Sequence, residues 1–188
     1  MLEVRFHGRG GQGSVIASEL LAQAAFLEGM YPQSFPFFGV ERRGAPVTAY
    51  SRIDSRPISV RTSITTPDIV VVLDSSLLRT VTVTSGLKPH GLLLLNSEGF
   101  PDQTRVGFSG RIATVDATGI ALAHGLGSKS VPIVNTAILG AFARVSGVVT
   151  LESVLKAIEK GVPAKPDANR EAAAEAFEQV RVLEAVVA

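Results

Sequence analysis

The chain is 188 residues long and carries 18 Lys and Arg against 17 Asp and Glu, a formal net charge of +1 that gives no electrostatic case for nucleic acid or a membrane surface as its general partner. With no cysteine it can neither ligate an iron–sulfur cluster through thiolates, nor form a disulfide, nor use a thiol nucleophile. Its length suits one domain spanning 1–188 with a sizeable core, and a mean hydropathy of +0.30 points to apolar surface covered by partners.

The first stretch, Leu2 to Ser14 (LEVRFHGRGGQGS), reads as a short strand meeting a helix through a glycine turn, with a long apolar-periodic run from Val15 to Glu28 behind it. Gly8, Gly10, Gly11 and Gly13 give the turn freedom at φ > 0 and hold no Cβ against an approaching ligand. Main-chain N–H groups are expected to lie accessible there. Ser14 is expected to cap the helix, whose positive dipole end suits an anion or a carbonyl. The bland alternative is that the glycines serve only a tight strand-to-helix connection. Those at 8, 10 and 13 also fit G-x-G-x-x-G, the dinucleotide fingerprint, which needs a second strand ending in Asp or Glu to bind the ribose. Instead, Gly29 to Gly39, with Pro32, Pro36 and scattered aromatics, reads as an irregular loop.

Val47 to Ile53 is an alternating strand with a polar outward face, able to follow the loop without a helix and so to run antiparallel. Arg42, Arg43, Arg52, Arg56 and Arg61 crowd this region into the one basic patch of the chain, a solvated rim on the plain reading. Arg42 and Arg43 differ in sitting in a Gly- and Pro-flanked turn, where a guanidinium can fork onto phosphate or carboxylate. Ile69 to Leu73 is a continuous apolar run bounded by acids, the pattern of a central strand covered on both faces. Asp74-Ser75 offers a cap to a short helix over Ser76 to Val81, and Gly91 to Asn96 and Arg111 to Asp116 supply two more strands.

Val131 to Ala141 begins as a loop and continues as an apolar helix with small residues for close packing. Asn135 is its expected cap, ligand binding being the other role open to it. Leu151 to Glu159 is a short amphipathic helix stopped at Lys160-Gly161-Val162-Pro163. The alanine-rich stretch from Asn169 to Val187 reads as a docking helix, about 168–187, against this chain or another. Strands alternating with helices make an α/β three-layer domain with a mixed, mostly parallel sheet and a glycine-rich first strand-to-helix turn. No complete catalytic set is visible, and His7, His90 and His124 lack metal-ligand spacing, so no catalytic residue and no metal site is assigned. The longest apolar runs are too short to cross a bilayer and no basic n-region precedes an h-region, which makes the cytoplasm the expected location.

Three segments taken together carry more than any one motif: FHGRGGQG at Phe6–Gly13, PFFGVERRGAP at Pro36–Pro46 and VNTAILGA at Val134–Ala141. In their order and separations they resemble the gamma subunit of pyruvate:ferredoxin oxidoreductase and related 2-oxoacid:ferredoxin oxidoreductases, over nearly the whole chain. One departure is Val40, where many relatives have Pro. The resemblance implies a subunit of a complex that converts a 2-oxoacid, most simply pyruvate, and coenzyme A to acyl-CoA and carbon dioxide while reducing ferredoxin. It implies thiamine diphosphate and 4Fe-4S clusters on partner subunits of alpha, beta and delta type, and a domain here that closes over the active site and is associated with coenzyme A. Gly10, Gly11, Gln12, Gly13 and Ser14 then become candidates for an anionic group of coenzyme A. Arg42 and Arg43 become candidates for its phosphates or for a subunit interface, with Asn135 beside them in the set. A purely structural subunit and a free-standing dinucleotide-binding protein are the alternatives.

Overall fold

The computed structural model describes residues 1–37 and 44–184; Val40, Arg42 and Arg43 lie outside them. In chain order the elements are β1 (Leu2–Arg9), α1 (Ser14–Leu27), β2 (Tyr31–Phe37), β3 (Pro46–Asp54), β4 (Ile69–Val72), a 3₁₀ turn (Ser75–Arg79) and β5 (Leu92–Asn96). There follow α2 (Gln103–Val106), β6 (Arg111–Val115), α3 (Ala117–Ala123), a small hairpin of β7 (Gly127–Ser128) and β8 (Val131–Pro132), α4 (Asn135–Ser146), α5 (Leu151–Gly161), α6 (Pro166–Gln179) and β9 (Arg181–Leu183). One sheet carries the strands in the order β2-β3-β1-β4-β5-β6-β9. Its centre, β1-β4-β5-β6, is parallel, while β3 and β9 run antiparallel to their neighbours. The sheet is therefore mixed and mostly parallel in strand direction, as the sequence pattern predicts.

The continuous apolar runs of β4 and β5 exist because both their faces are covered. Ile69, Val71, Leu92 and Leu94 join Val4, Phe6 and the buried sides of α1, α3, α4, α5 and α6 in the larger core. Val70, Val72, Leu93 and Leu95 point the other way, into a smaller cluster closed by Leu77, Val83, Leu87, Val106 and Phe108. That second layer is thin, consisting of the 3₁₀ turn, the four-residue α2 and connecting coil. No described helix is long and apolar enough to cross a membrane.

Four sequence expectations are corrected here. Tyr31–Phe37 is not irregular but forms β2, paired with β3 from Tyr31↔Asp54 to Phe37↔Thr48. As an edge strand it leaves one side without a ladder partner, so Pro32 and Pro36 can be accommodated without losing a needed N–H. The tail helix ends at Gln179, and the chain then adds β9 to β6, pairing Val182 with Ala113. Arg52 is not on a solvated rim but only 1% exposed, because the coil after β3 folds over that face. Its guanidinium donates to Glu3 Oε1 at 2.9 Å, Gln33 Oε1 at 3.1 Å and the Thr62 carbonyl at 2.7 Å. The segment after Asp74 is 3₁₀ over Ser75–Arg79 and not an α-helix to Val81, although Asp74 caps it by accepting from Ser76 N–H at 2.9 Å.

Helix α6 docks within the chain. Its Ala172, Ala173 and Ala176 are fully buried, and Gly140 of α4 lies so near that a Cβ there would collide with the Ala173 carbonyl oxygen. Alanine and glycine are thus selected by helix-to-helix distance, not by propensity. Gly140→Ala should cost about 2 kcal/mol by forcing the pair apart. Urea unfolding of the variant with an unchanged midpoint would show that α4 and α6 can separate freely.

Candidate functional site

The glycine turn stands at the carboxyl end of β1, where open α/β sheets present their ligand crevices. Gly13, in the left-handed region at φ 83, is the N-cap of α1, and Ser14 is the first helical residue. Ser14 therefore does not cap the helix as its sequence position suggested; it comes one residue too late. Its Oγ is buried and has no hydrogen-bond partner among the described residues. It lies so near Gly8 that a Cβ there would overlap it and force the serine side chain to turn.

The N–H groups of the turn are only partly available. Gly10 donates to the Ala45 carbonyl at 2.9 Å and accepts from Gly44 N–H at 3.2 Å, extending the β1–β3 ladder, and Gln12 N–H closes a turn onto Arg9. The N–H groups of Gly11 and Gly13 have no partner among the described residues. Gln12 uses its side chain inside the turn, its Oε1 accepting from Arg9 N–H at 2.8 Å and its Nε2 donating to Asp74 Oδ2 at 2.9 Å.

Asn135 comes to the turn from the start of α4. It is the first helical residue, with Val134 at the cap position, so the expected capping is displaced by one residue. Its Oδ1 still accepts from Thr136 N–H at 2.9 Å. That bond requires the oxygen on that side and so aims the amide nitrogen at the turn, where a Cβ on Gly13 would stand 2.7 Å from it. The start of this 14-residue helix thus carries the N–H groups of Gly11 and Gly13 and the Ser14 hydroxyl, with the Asn135 carboxamide beside Gly13 and the positive end of the helix dipole behind them. Beside them opens a mostly apolar cavity of about 420 Å³, walled by Ile16, Leu126, Ile133, Asn135 and Pro163 with Lys165 at its side. Arg42 and Arg43, the other sequence candidates, lie outside the described residues.

Sequence reading missed two residues, Arg9 and Asp74. Asp74 follows β4 and receives Arg9 Nε at 3.1 Å, Gln12 Nε2 and Ser76 N–H. Burial would raise its pKa, but the hydrogen bonds from Ser76 and Gln12 and the charge of Arg9 outweigh burial and hold the carboxyl below the usual aspartate value. The only local signal is an acid immediately after a buried strand.

Beneath the turn, the opposite face of β1 holds a buried basic pair. Arg5 donates to the carbonyls of Val83 at 2.9 Å and Ser85 at 2.6 Å, and its Nε donates to His7 Nε2 at 3.1 Å. His7 must accept that bond and is therefore neutral; burial, reinforced by the Arg5 charge, pushes its pKa down to about 4.

The chain has clear relatives. The pyruvate ferredoxin/flavodoxin oxidoreductase family model matches residues 3–179. The gamma subunit common to the pyruvate and ketoisovalerate oxidoreductases of Thermococcus kodakarensis is 55% identical over 188 residues, covering 98% of this chain and 100% of that one. Among solved structures, the pyruvate oxidoreductase subunit PORC of Thermotoga maritima superposes with a TM-score of 0.84 at 40% identity, covering 97% of this chain and 98% of that one. The same fold recurs within 30% of a longer chain, the 2-oxoglutarate:ferredoxin oxidoreductase of Magnetococcus marinus, with a TM-score of 0.70 at 17% identity over 94% of this chain. The chain belongs to the pyruvate ferredoxin/flavodoxin oxidoreductase family, as a gamma-type subunit of an oxidoreductase complex.

The His7 shift sets a pH dependence whose sign is fixed. Unfolded His7 takes up a proton near pH 6.5 and folded His7 only near pH 4, so stability is complete above 6.5 and falls as pH drops toward 4. The full loss is about 3 kcal/mol, from the size of the shift at about 1.4 kcal/mol per pH unit. Urea midpoints measured from pH 7 to pH 4.5 should fall less in His7→Gln than in the parent; equal slopes would contradict a neutral buried imidazole.

Proposed function

We propose that this chain is the gamma-type subunit of a cytoplasmic pyruvate:ferredoxin oxidoreductase, in which it holds an anionic part of coenzyme A and helps close the active site. The complex would convert pyruvate, coenzyme A and oxidised ferredoxin to acetyl-CoA, carbon dioxide and reduced ferredoxin. Substrate choice is supported by the names of the relatives, which couple the gamma subunit to pyruvate and ketoisovalerate in one case and to pyruvate in another. Thiamine diphosphate and the 4Fe-4S clusters would sit on alpha, beta and delta-type partners, consistent with the absence of cysteine from this chain.

The observation that carries the coenzyme A reading is the set of donors at the start of α1 that have no partner among the described residues, Gly11 and Gly13 N–H and the buried Ser14 hydroxyl, with the Asn135 amide beside Gly13. A buried hydroxyl without a partner costs stability unless a ligand takes it up. A phosphate or acyl oxygen held at the start of α1 would be met by donors of this set and by the positive end of the helix. The apolar cavity beside Asn135 is suited to the uncharged part of such a ligand, with Lys165 in its wall donating to the Gly125 carbonyl. Gly10 and Gln12 would shape the turn, while Arg42 and Arg43 would meet further phosphates or a neighbouring subunit.

Two substitutions separate this from a purely structural role. Ser14→Ala removes an unpartnered hydroxyl, so thermal stability should hold while the Michaelis constant for coenzyme A rises about fivefold, the value of one hydrogen bond. Asn135→Asp keeps the acceptor for Thr136 N–H but places negative charge where the amide stood, so that constant should rise more than tenfold while the pyruvate constant stays put. Steady-state kinetics on reconstituted complex, with assembly checked by native mass, decides the matter. Normal assembly with unchanged coenzyme A constants in both variants would leave the structural role.

A further inference from the structure

We propose that Arg9 and Asp74 act as a positioning pair that fixes the glycine turn for ligand capture, an inference that rests on the coenzyme A reading above. The turn has no regular structure of its own between Arg9 and Ser14, and its conformation requires positive φ at Gly11 and Gly13. Something outside it must hold it. The clamp runs through Asp74, whose Oδ2 receives both Arg9 Nε at 3.1 Å and Gln12 Nε2 at 2.9 Å, one from each side of the turn. Its Oδ1 is anchored by Ser76 N–H at 2.9 Å, so the carboxylate is fixed to the end of β4 and not to the turn it serves.

Arg9 extends the clamp outward. Its three bonding nitrogens face three partners: Nε goes to Asp74, Nη2 to Ser76 Oγ at 2.8 Å, and Nη1 to the Gly44 carbonyl at 3.0 Å. Gly44 N–H in turn donates to the Gly10 carbonyl, and Ala45 accepts from Gly10 N–H. One guanidinium thereby joins the ends of β1 and β4 to the segment that enters β3. The planar fork is needed for this; a lysine ammonium could keep the charge but not these three directions. Neither Arg9 nor Asp74 is among the donors at the start of α1, and the Asp74 negative charge is neutralised by Arg9, so the anion site is not opposed by it. Their effect on ligand binding would pass through the orientation of the Gly11 and Gly13 N–H groups.

The test is a double-mutant cycle on reconstituted complex with coenzyme A as the titrated substrate. Asp74→Ala and Arg9→Ala should each raise the Michaelis constant for coenzyme A roughly tenfold, with kcat and the pyruvate constant within about twofold. The double variant should be no worse than either single one, because both remove the same clamp. Asp74→Asn keeps the side-chain volume but has one acceptor oxygen for donors that now use both, so it should also raise the coenzyme A constant several-fold and provides the measurement if the alanine variant fails to assemble. Additive losses, or equal losses in kcat and in the pyruvate constant, would overturn the positioning role. If Ser14→Ala and Asn135→Asp raise the coenzyme A constant while Asp74→Ala and Asp74→Asn do not, the clamp alone fails. If none of the four moves it, the coenzyme A reading fails first.

Discussion

A strand face covered by helix meets backbone whose carbonyls are already satisfied, but a face covered by coil meets carbonyls that still need donors. That constraint shapes the thin side of this sheet. Arg5 is buried where Val83 and Ser85 cross β1, and Arg52 where Thr62 crosses β3, each guanidinium supplying N–H groups to the carbonyls above it. Leucine at either position would provide the apolar area and leave the coil unsatisfied, at a cost of roughly 1 to 3 kcal/mol for each buried acceptor. Arg9 continues the pattern at the end of β1, satisfying Gly44. The arginines of the basic patch are thus divided by burial: Arg52 belongs to the fold, whereas Arg56 and Arg61 remain exposed.

What could be read from the sequence follows from how local each determinant is. Ile69–Val72 and Leu92–Asn96 are legible as central strands because two-sided burial requires an unbroken apolar run. The antiparallel course of β3 is legible because no helix separates it from its neighbour. Strand β2 is not, since Pro32 and Pro36 report against a strand everywhere except at an edge, and edge position is a property of the whole sheet. Strand β9 is hidden for a similar reason, its three residues pairing with β6 across the whole of α3, α4, α5 and α6. Arg52 looked like rim because the Thr62 carbonyl that buries it lies ten residues later in a stretch with no periodicity.

At the candidate site the glycines were legible and the hydrogen-bond accounting was not. Four glycines announce a turn that tolerates close approach, but only the structure shows that Gly10 N–H is consumed by Ala45 while those of Gly11 and Gly13 have no partner among the described residues. Ser14 shows how position decides a cap. A cap must stand outside the helix to offer its oxygen back to it, and with Gly13 already in that place the serine is carried inward. Its hydroxyl then becomes an unpartnered donor instead of a cap, which changes it from a stability feature into a ligand-binding candidate. Asn135 shifts by one position in the same way and with the same result, its oxygen serving α4 and its nitrogen facing the turn.

The same topology bears on the dinucleotide alternative. In that fold the strand after the first helix lies parallel to and beside the first strand, so that an acid at its tip reaches the ribose of a nucleotide held on the glycines. Here β3 intervenes, antiparallel, between β1 and the strand that follows α1. The parallel neighbour of β1 is β4, and the acid that follows it is Asp74. A ribose would have to compete for that carboxylate with Arg9, Gln12 and Ser76, three partners that also hold the turn in shape. Displacing them would remove the bonds that hold the glycine turn, so the topology around Gly8, Gly10 and Gly13 does not suit a dinucleotide.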